Sequence, residues 1–127
     1  MSGRPAARAP RVVPKPWGEE RIFAEESRYA GKLLKIRSGE ALSLQYHVVK
    51  DETIHVLEGT LGLLVERDGV REELLLAPGE GFHVEPGTRH RMSAPVGDVL
   101  VVEVSTPDLD DVVRLEDRYG RQGTSSP

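Results

Sequence analysis

Three side chains between Gly39 and Gly59, in the stretch GEALSLQYHVVKDETIHVLEG, have the chemistry of metal ligands. Gln45 offers an amide oxygen, His47 an imidazole nitrogen and Glu52 a carboxylate, and all three are set among strand-forming apolar residues. Side chains two apart on a strand share a face, so Gln45 and His47 point the same way. Glu52 follows after Val48-Val49-Lys50-Asp51, which is enough chain to turn a corner and open a second strand. That strand reads Thr53-Ile54-His55-Val56-Leu57 and stops at Glu58-Gly59, a glycine suited to a tight turn. The pattern predicts a hairpin that presents the three donors to one space. Tyr46 alternates out of phase with its neighbours and faces away from that space. His55 is out of phase with Glu52 and reads as a packing or interface residue, while the role of His83 stays open.

The elements that must position these donors are strands. Short apolar or alternating runs recur at Glu20–Ala24, Lys32–Arg37, Leu61–Glu66, Val70–Leu76, Phe82–Val84, His90–Met92 and Val99–Val104, separated by glycine- and proline-rich turns. Asp68-Gly69 between two such runs predicts a tight hairpin. No helical periodicity precedes residue 106, and Thr106-Pro107-Asp108 is expected to start one short helical turn near the C-terminus. The fold class is all-β, a sandwich or barrel. Residues 1–14, rich in Ala, Arg and Pro, are expected to form a flexible arm, residues 15–121 a single domain with Trp17 as a packing anchor, and residues 122–127 a disordered tail.

Composition narrows the function. The chain has 127 residues, a formal net charge of −4 and no cysteine, which removes thiolate sites, disulfides and cysteine nucleophiles. The negative balance argues against a nucleic-acid partner, and no apolar run approaches the length of a membrane span. With no signal-peptide pattern at the N-terminus, the expected location is cytoplasmic. Leu57 and Leu63, read as outward-facing, point to a homodimer formed by sheet packing or strand exchange.

The spacing Gly39, Gln45, His47, Glu52, Gly59 resembles the first cupin motif, with Gln45 where a histidine is usual. Gly79, Glu85, Gly87 and His90 resemble the second motif, with Glu85 replacing its proline and Ala94 its asparagine. Within the cupins the chain resembles the cupin domain of type II mannose-6-phosphate isomerases. The matching segments are Lys15-Pro16-Trp17-Gly18, Leu42-Ser43-Leu44-Gln45, Gly87-Thr88-Arg89-His90-Arg91 and Val112 to Arg121. Val48 and Val49 stand where that family commonly continues a histidine run, and Thr53-Ile54 where it commonly has His-Trp. The resemblance implies a cupin double-stranded β-helix (jelly-roll) barrel. It also implies one divalent transition metal (Zn, Mn, Fe, Ni or Co) held by Gln45, His47, Glu52 and His90.

That resemblance implies aldose–ketose isomerisation of a sugar phosphate at the metal. The reaction needs a base, and Glu103, the single charge in the apolar run Val99–Val104, is the catalytic candidate. The alternative for Glu103 is a carboxylate on the solvent side of an edge strand. Arg89 and Arg91 flank His90 and are the candidates for binding the phosphate, with Lys50 read as an ordinary solvated charge. Two other functions fit the same residues: a non-catalytic cupin that binds or senses a carbohydrate, and a metal-dependent dioxygenase.

Overall fold

A computed structural model describes residues 6–123, and all regular elements among them are strands. In chain order these are β1 (Arg11–Lys15), β2 (Gly18–Glu25), β3 (Ala30–Ile36), β4 (Leu44–Tyr46), β5 (Glu52–Glu58), β6 (Leu61–Arg67), β7 (Val70–Leu76), β8 (Gly81–Val84), β9 (Arg89–Ser93), β10 (Val99–Ser105) and β11 (Val113–Glu116). They form two sheets, one of six strands in the order β1-β2-β3-β10-β5-β8 and one of five in the order β11-β4-β9-β6-β7. All pairings are antiparallel. Neighbours in the sheets are mostly distant in sequence, as in the Greek-key pattern of a jelly roll.

Alternation decides what the two sheets enclose. On β3 the inward residues are Ile36, Leu34 and Lys32, on β10 Val99, Val101 and Glu103, and on β5 Val56, Ile54 and Glu52, all buried. The register sets Ile36 opposite Val99 and Lys32 opposite Glu103, so the charged positions gather at one end. From the other sheet, β6 contributes Leu63 and Val65, and β9 sets Met92 and His90 opposite them. Trp17, Leu34, Leu42, Leu61 and Met92 belong to one apolar cluster with these residues. Each such aliphatic side chain stabilises the fold by roughly 1.5–3 kcal/mol through burial. One end of the interior is therefore hydrocarbon and the other is charge.

Four expectations are corrected. The strands carrying Gln45 and Glu52 do not form a hairpin, because β4 and β5 belong to different sheets and the chain between them crosses from one to the other. Thr106–Asp108 forms no helical turn: the segment from 106 to 112 is bends and turns, held at one end by the Thr106 N–H to Asp51 carbonyl bond at 3.0 Å. Arg11–Pro14, inside the stretch read as a flexible arm, pair with Glu19–Ile22 as β1, because Pro14 sits in an edge strand where it removes no inner ladder bond. Leu63 is buried, since it shares the inward phase of Leu61 and Val65, and only Leu57 of that pair is exposed. The first five residues of the arm, and residues 124–127 of the tail, lie outside the described residues.

Two turns show what the glycines do. Asp68 and Gly69, at φ of 50° and 77°, make the tight hairpin between β6 and β7. Gly59, at φ 80°, turns β5 into β6, and a Cβ there would lie 2.3 Å from the Asp98 carbonyl oxygen. A Cβ on Gly69 would meet nothing within 4 Å. Gly69→Ala is expected to cost about 1–2 kcal/mol, the left-handed conformation alone. Gly59→Ala is expected to cost more, because it adds a backbone clash. Urea unfolding of the two variants side by side checks the order.

Candidate metal centre

His47 follows β4, Glu52 opens β5 and His90 is the second residue of β9. Gly87, in the turn before β9, donates its N–H to the His47 carbonyl at 2.7 Å, which draws the β8–β9 turn against the end of β4. Gln45 stands directly opposite His90 in the β4–β9 pairing, so the two side chains share the inward face. The ligand atoms of His47, Glu52 and His90 all lie within 4.8 Å of one another. Their exposures are 2%, 2% and 1%, and the two imidazole rings are 5.2 Å apart between centroids.

Hydrogen bonds on the far sides of the rings fix what the near sides can do. His47 Nδ1 lies 2.5 Å from the Asp111 carbonyl oxygen and His90 Nδ1 lies 2.9 Å from the Thr88 carbonyl oxygen. A carbonyl only accepts, so each ring carries its proton on Nδ1 and turns a lone pair on Nε2 toward Glu52. Burial pushes the His90 imidazole below its usual value, against the pull of Glu52, and keeps the ring neutral. His47 Nε2 approaches Glu52 Oε1 to 2.5 Å and His90 Nε2 approaches it to 3.9 Å. Among the described residues, neither Nε2 and neither Glu52 oxygen has a hydrogen-bond partner. Four buried acceptor atoms thus converge with no donor. That costs several kcal/mol unless a cation fills the gap. Two imidazoles and a carboxylate suit Zn2+, Mn2+, Fe2+, Co2+ or Ni2+.

Gln45 lies nearby with its Oε1 accepting from Ser43 Oγ at 2.6 Å, and it lines a cavity together with His47. Glu103 lines the same cavity. It is 4% exposed, points inward, and accepts from Lys50 Nζ at 2.9 Å, with Lys32 Nζ at 3.8 Å. Burial first, and then the charge of Glu52, raise the Glu103 carboxyl to about 6, although Lys32 and Lys50 oppose the rise. Lys50 is 3% exposed rather than solvated. Burial works to lower its ammonium, but Glu103 and Glu52 outweigh burial and hold it above the usual lysine value.

Arg89 and Arg91 are not at the cavity. They alternate with His90 on β9, and that alternation sends them to the other face of the sheet. Arg89 lies over the Tyr46 ring at 6.0 Å, and Arg91 Nε donates to the Leu42 carbonyl at 2.8 Å. The cations that do line the cavity are Lys15, Lys32, Lys50, Arg114 and Arg121. His55 and His83 are exposed and outside the cluster, with His83 Nε2 2.6 Å from Asp51.

The family model described as mannose-6-phosphate isomerase C-terminal matches residues 2–117. The chain belongs to that family. A mannose-1-phosphate guanylyltransferase of Escherichia coli K12 is 34% identical over 123 residues, covering 94% of this chain and 25% of that protein. The xanthan biosynthesis protein XanB of Xanthomonas campestris strain ATCC 33913 is 33% identical over 124 residues, covering 94% of this chain and 26% of that one. The chain spans about a quarter of the length of these relatives. Among solved structures, the capsular polysaccharide assembling protein CapF of Staphylococcus aureus superposes with a TM-score of 0.77 at 15% identity, over 86% of this chain and 32% of that one. Oxalate decarboxylase of Bacillus subtilis gives 0.74 at 12% identity, over 88% and 33%. These likenesses place the chain in the cupin fold.

In this family member Asp111 holds the donor-bearing loop together. Its carboxylate accepts the N–H groups of Val48 at 3.0 Å, Val49 at 2.7 Å and Lys50 at 2.8 Å, while its carbonyl takes His47 Nδ1. No local sequence signal marks it, because its partners lie more than sixty residues away. The wild type is expected to take up about one equivalent of Zn2+ or Mn2+ by elemental analysis after dialysis. His47→Ala and His90→Ala are expected to weaken uptake by more than ~100-fold, with His55→Ala and His83→Ala unchanged.

Proposed function

We propose that this chain is a metal-dependent cupin that interconverts an aldose phosphate and its ketose, with mannose 6-phosphate and fructose 6-phosphate as the pair. The observation that carries this reading is a donor-free acceptor set, reaching one cavity through His47, with a buried carboxylate on the wall of that same cavity. Gln45 and His47 line that cavity, as do Glu103 and Lys50. Aldose–ketose isomerisation removes the proton from the carbon beside a carbonyl and returns one to the neighbouring carbon, through an enediol. It needs one base that works in both directions and a stabiliser for the oxygen that turns negative.

Glu103 takes and returns the proton. Lys50 Nζ, donating to Glu103 Oε2, fixes the direction of that carboxylate, and Lys32 stands behind it. Compensation of the Glu52 charge removes one of the causes that raise the Glu103 carboxyl, and so favours the ionised form that a base requires. A metal held by His47, Glu52 and His90, with Gln45 alongside, supplies Lewis-acid polarisation of the substrate carbonyl. Trp17, Leu34, Leu42 and Met92 form the apolar wall of the cavity and limit the water that reaches it. The cavity is small, about 40 Å³, room for two or three waters.

The expected result is deuterium incorporation at C2 of mannose 6-phosphate in D2O with metal-loaded protein, read by NMR. Glu103→Gln is expected to slow exchange by ~100- to 10,000-fold while retaining the metal. Exchange at the wild-type rate in Glu103→Gln, or no exchange in wild type loaded in turn with Zn2+, Mn2+, Fe2+, Co2+ and Ni2+, sinks the reading.

A further inference from the structure

The cavity lining carries five cations, Lys15, Lys32, Lys50, Arg114 and Arg121, against two carboxylates, Glu20 and Glu103. This happens in a chain whose net charge is −4. Lys32 and Lys50 are engaged with those two carboxylates, at 3.3 Å to Glu20 and 2.9 Å to Glu103. The other three cations come from opposite ends of the sequence. Lys15 ends β1, Arg114 is the buried residue of β11, and Arg121 follows it beyond a turn. Their mutual repulsion is felt at Lys15. Burial first, then Lys32, Arg114 and Arg121, push its ammonium below the usual lysine value, with Glu20 opposing.

Arg121 is held in a fixed orientation. Its Nε and one terminal nitrogen donate to the two oxygens of Asp117 at 2.9 and 3.0 Å, and its backbone N–H donates to the same carboxylate at 2.8 Å. Asp117 is buried. Among the described residues that line the cavity, with Asp117 added, five cations stand against three carboxylates. A concentration of like charge within partly apolar walls focuses the field on whatever enters, and guanidinium groups match the oxygens of phosphate and carboxylate.

We infer that Lys15, Arg114 and Arg121 form the seat for a compact oxyanion, a phosphate or carboxylate group of the molecule that occupies the cavity, with Asp117 as a positioning residue for Arg121. The inference rests on the reading of this cavity as the substrate site, and it assigns the anion to the β1 and β11 side rather than to Arg89 and Arg91. It gives a role to the segment Val112 to Arg121. β11 carries Arg114 inward, and the turn after it returns Arg121 to the same place.

The test is calorimetric titration of the full chain, loaded with the metal it takes up, using mannose 6-phosphate, inorganic phosphate, gluconate and mannose. The anions are expected to bind, more weakly as NaCl rises, with mannose at least ~10-fold weaker than mannose 6-phosphate. Phosphate against gluconate tells which oxyanion is preferred. Lys15→Gln and Arg114→Gln are each expected to weaken the preferred anion by ~10-fold or more, with Arg89→Gln and metal content unchanged. Asp117→Asn is expected to raise KM for mannose 6-phosphate in the isotope-exchange assay without altering metal content. Lys15 lies half-buried at a strand end, so its variant reports even where Arg114→Gln fails to fold. Equal affinity for mannose, absence of anion binding, or wild-type affinity in Lys15→Gln overturns the seat. Anion binding lost in the variants, without isotope exchange in wild type, keeps the seat and removes the isomerase. Exchange with an unchanged KM in Lys15→Gln does the reverse.

Discussion

Two carboxylates buried beside each other, Glu52 and Glu103, set the terms for this end of the barrel. Neither can ionise there without compensation, because charge in a poorly solvated interior is costly and like charges add to the cost. Lys50 and Lys32 meet Glu103 from two directions, and Glu20 in turn meets Lys32. Glu52 has no such ammonium in contact; it faces two imidazole lone pairs instead. Glu103 is balanced by ammonium groups in contact, whereas Glu52, against burial, is held below the usual carboxylate range by the His47 side chain and the more distant Lys50 charge. Loss of a single member of such a set strands its partner, which is why the residues behave as one unit rather than as separate contacts.

Much of this was visible in the linear chain. Alternation and turn residues are local signals, so the strands, the Asp68-Gly69 hairpin and the inward phase of Gln45 and His47 could be read directly. Glu103 stood out as the single charge in an apolar strand, but its inward direction was left open against the solvent side and comes from the structure. Arg89 and Arg91 flank His90 in sequence, but successive side chains on a strand point to opposite faces, so they face away from the side that His90 takes. Lys50 lies in a loop with no periodicity, and its burial depends on an acid 53 positions later. Leu63 was misread because β6 is covered by the opposite sheet, which no local pattern announces. The β1 strand depends on its partner β2, since its own composition is that of a linker.

The fold also explains how one site draws on the whole length of the chain. The metal-ligand candidates come from β4, β5, β9 and the loop after β4, the buried acid from β10, and the cavity cations from β1, β3, β11 and two loops. Strands at the sheet margins, β1 and β11, supply the outer charges, and central strands supply the inner ones.

The Asp111 knot has a consequence for how the protein comes into being. His47 is aimed by a carbonyl 64 residues further along, and the main chain after it is tied by the carboxylate of the same residue. During synthesis the ligand-bearing loop is made long before its anchor. It therefore stays without its final shape until the last strand of the smaller sheet has been delivered and docked. The aim of the His47 imidazole is thereby tied to synthesis of the chain past residue 111, and a shorter nascent chain leaves that ring without its carbonyl partner.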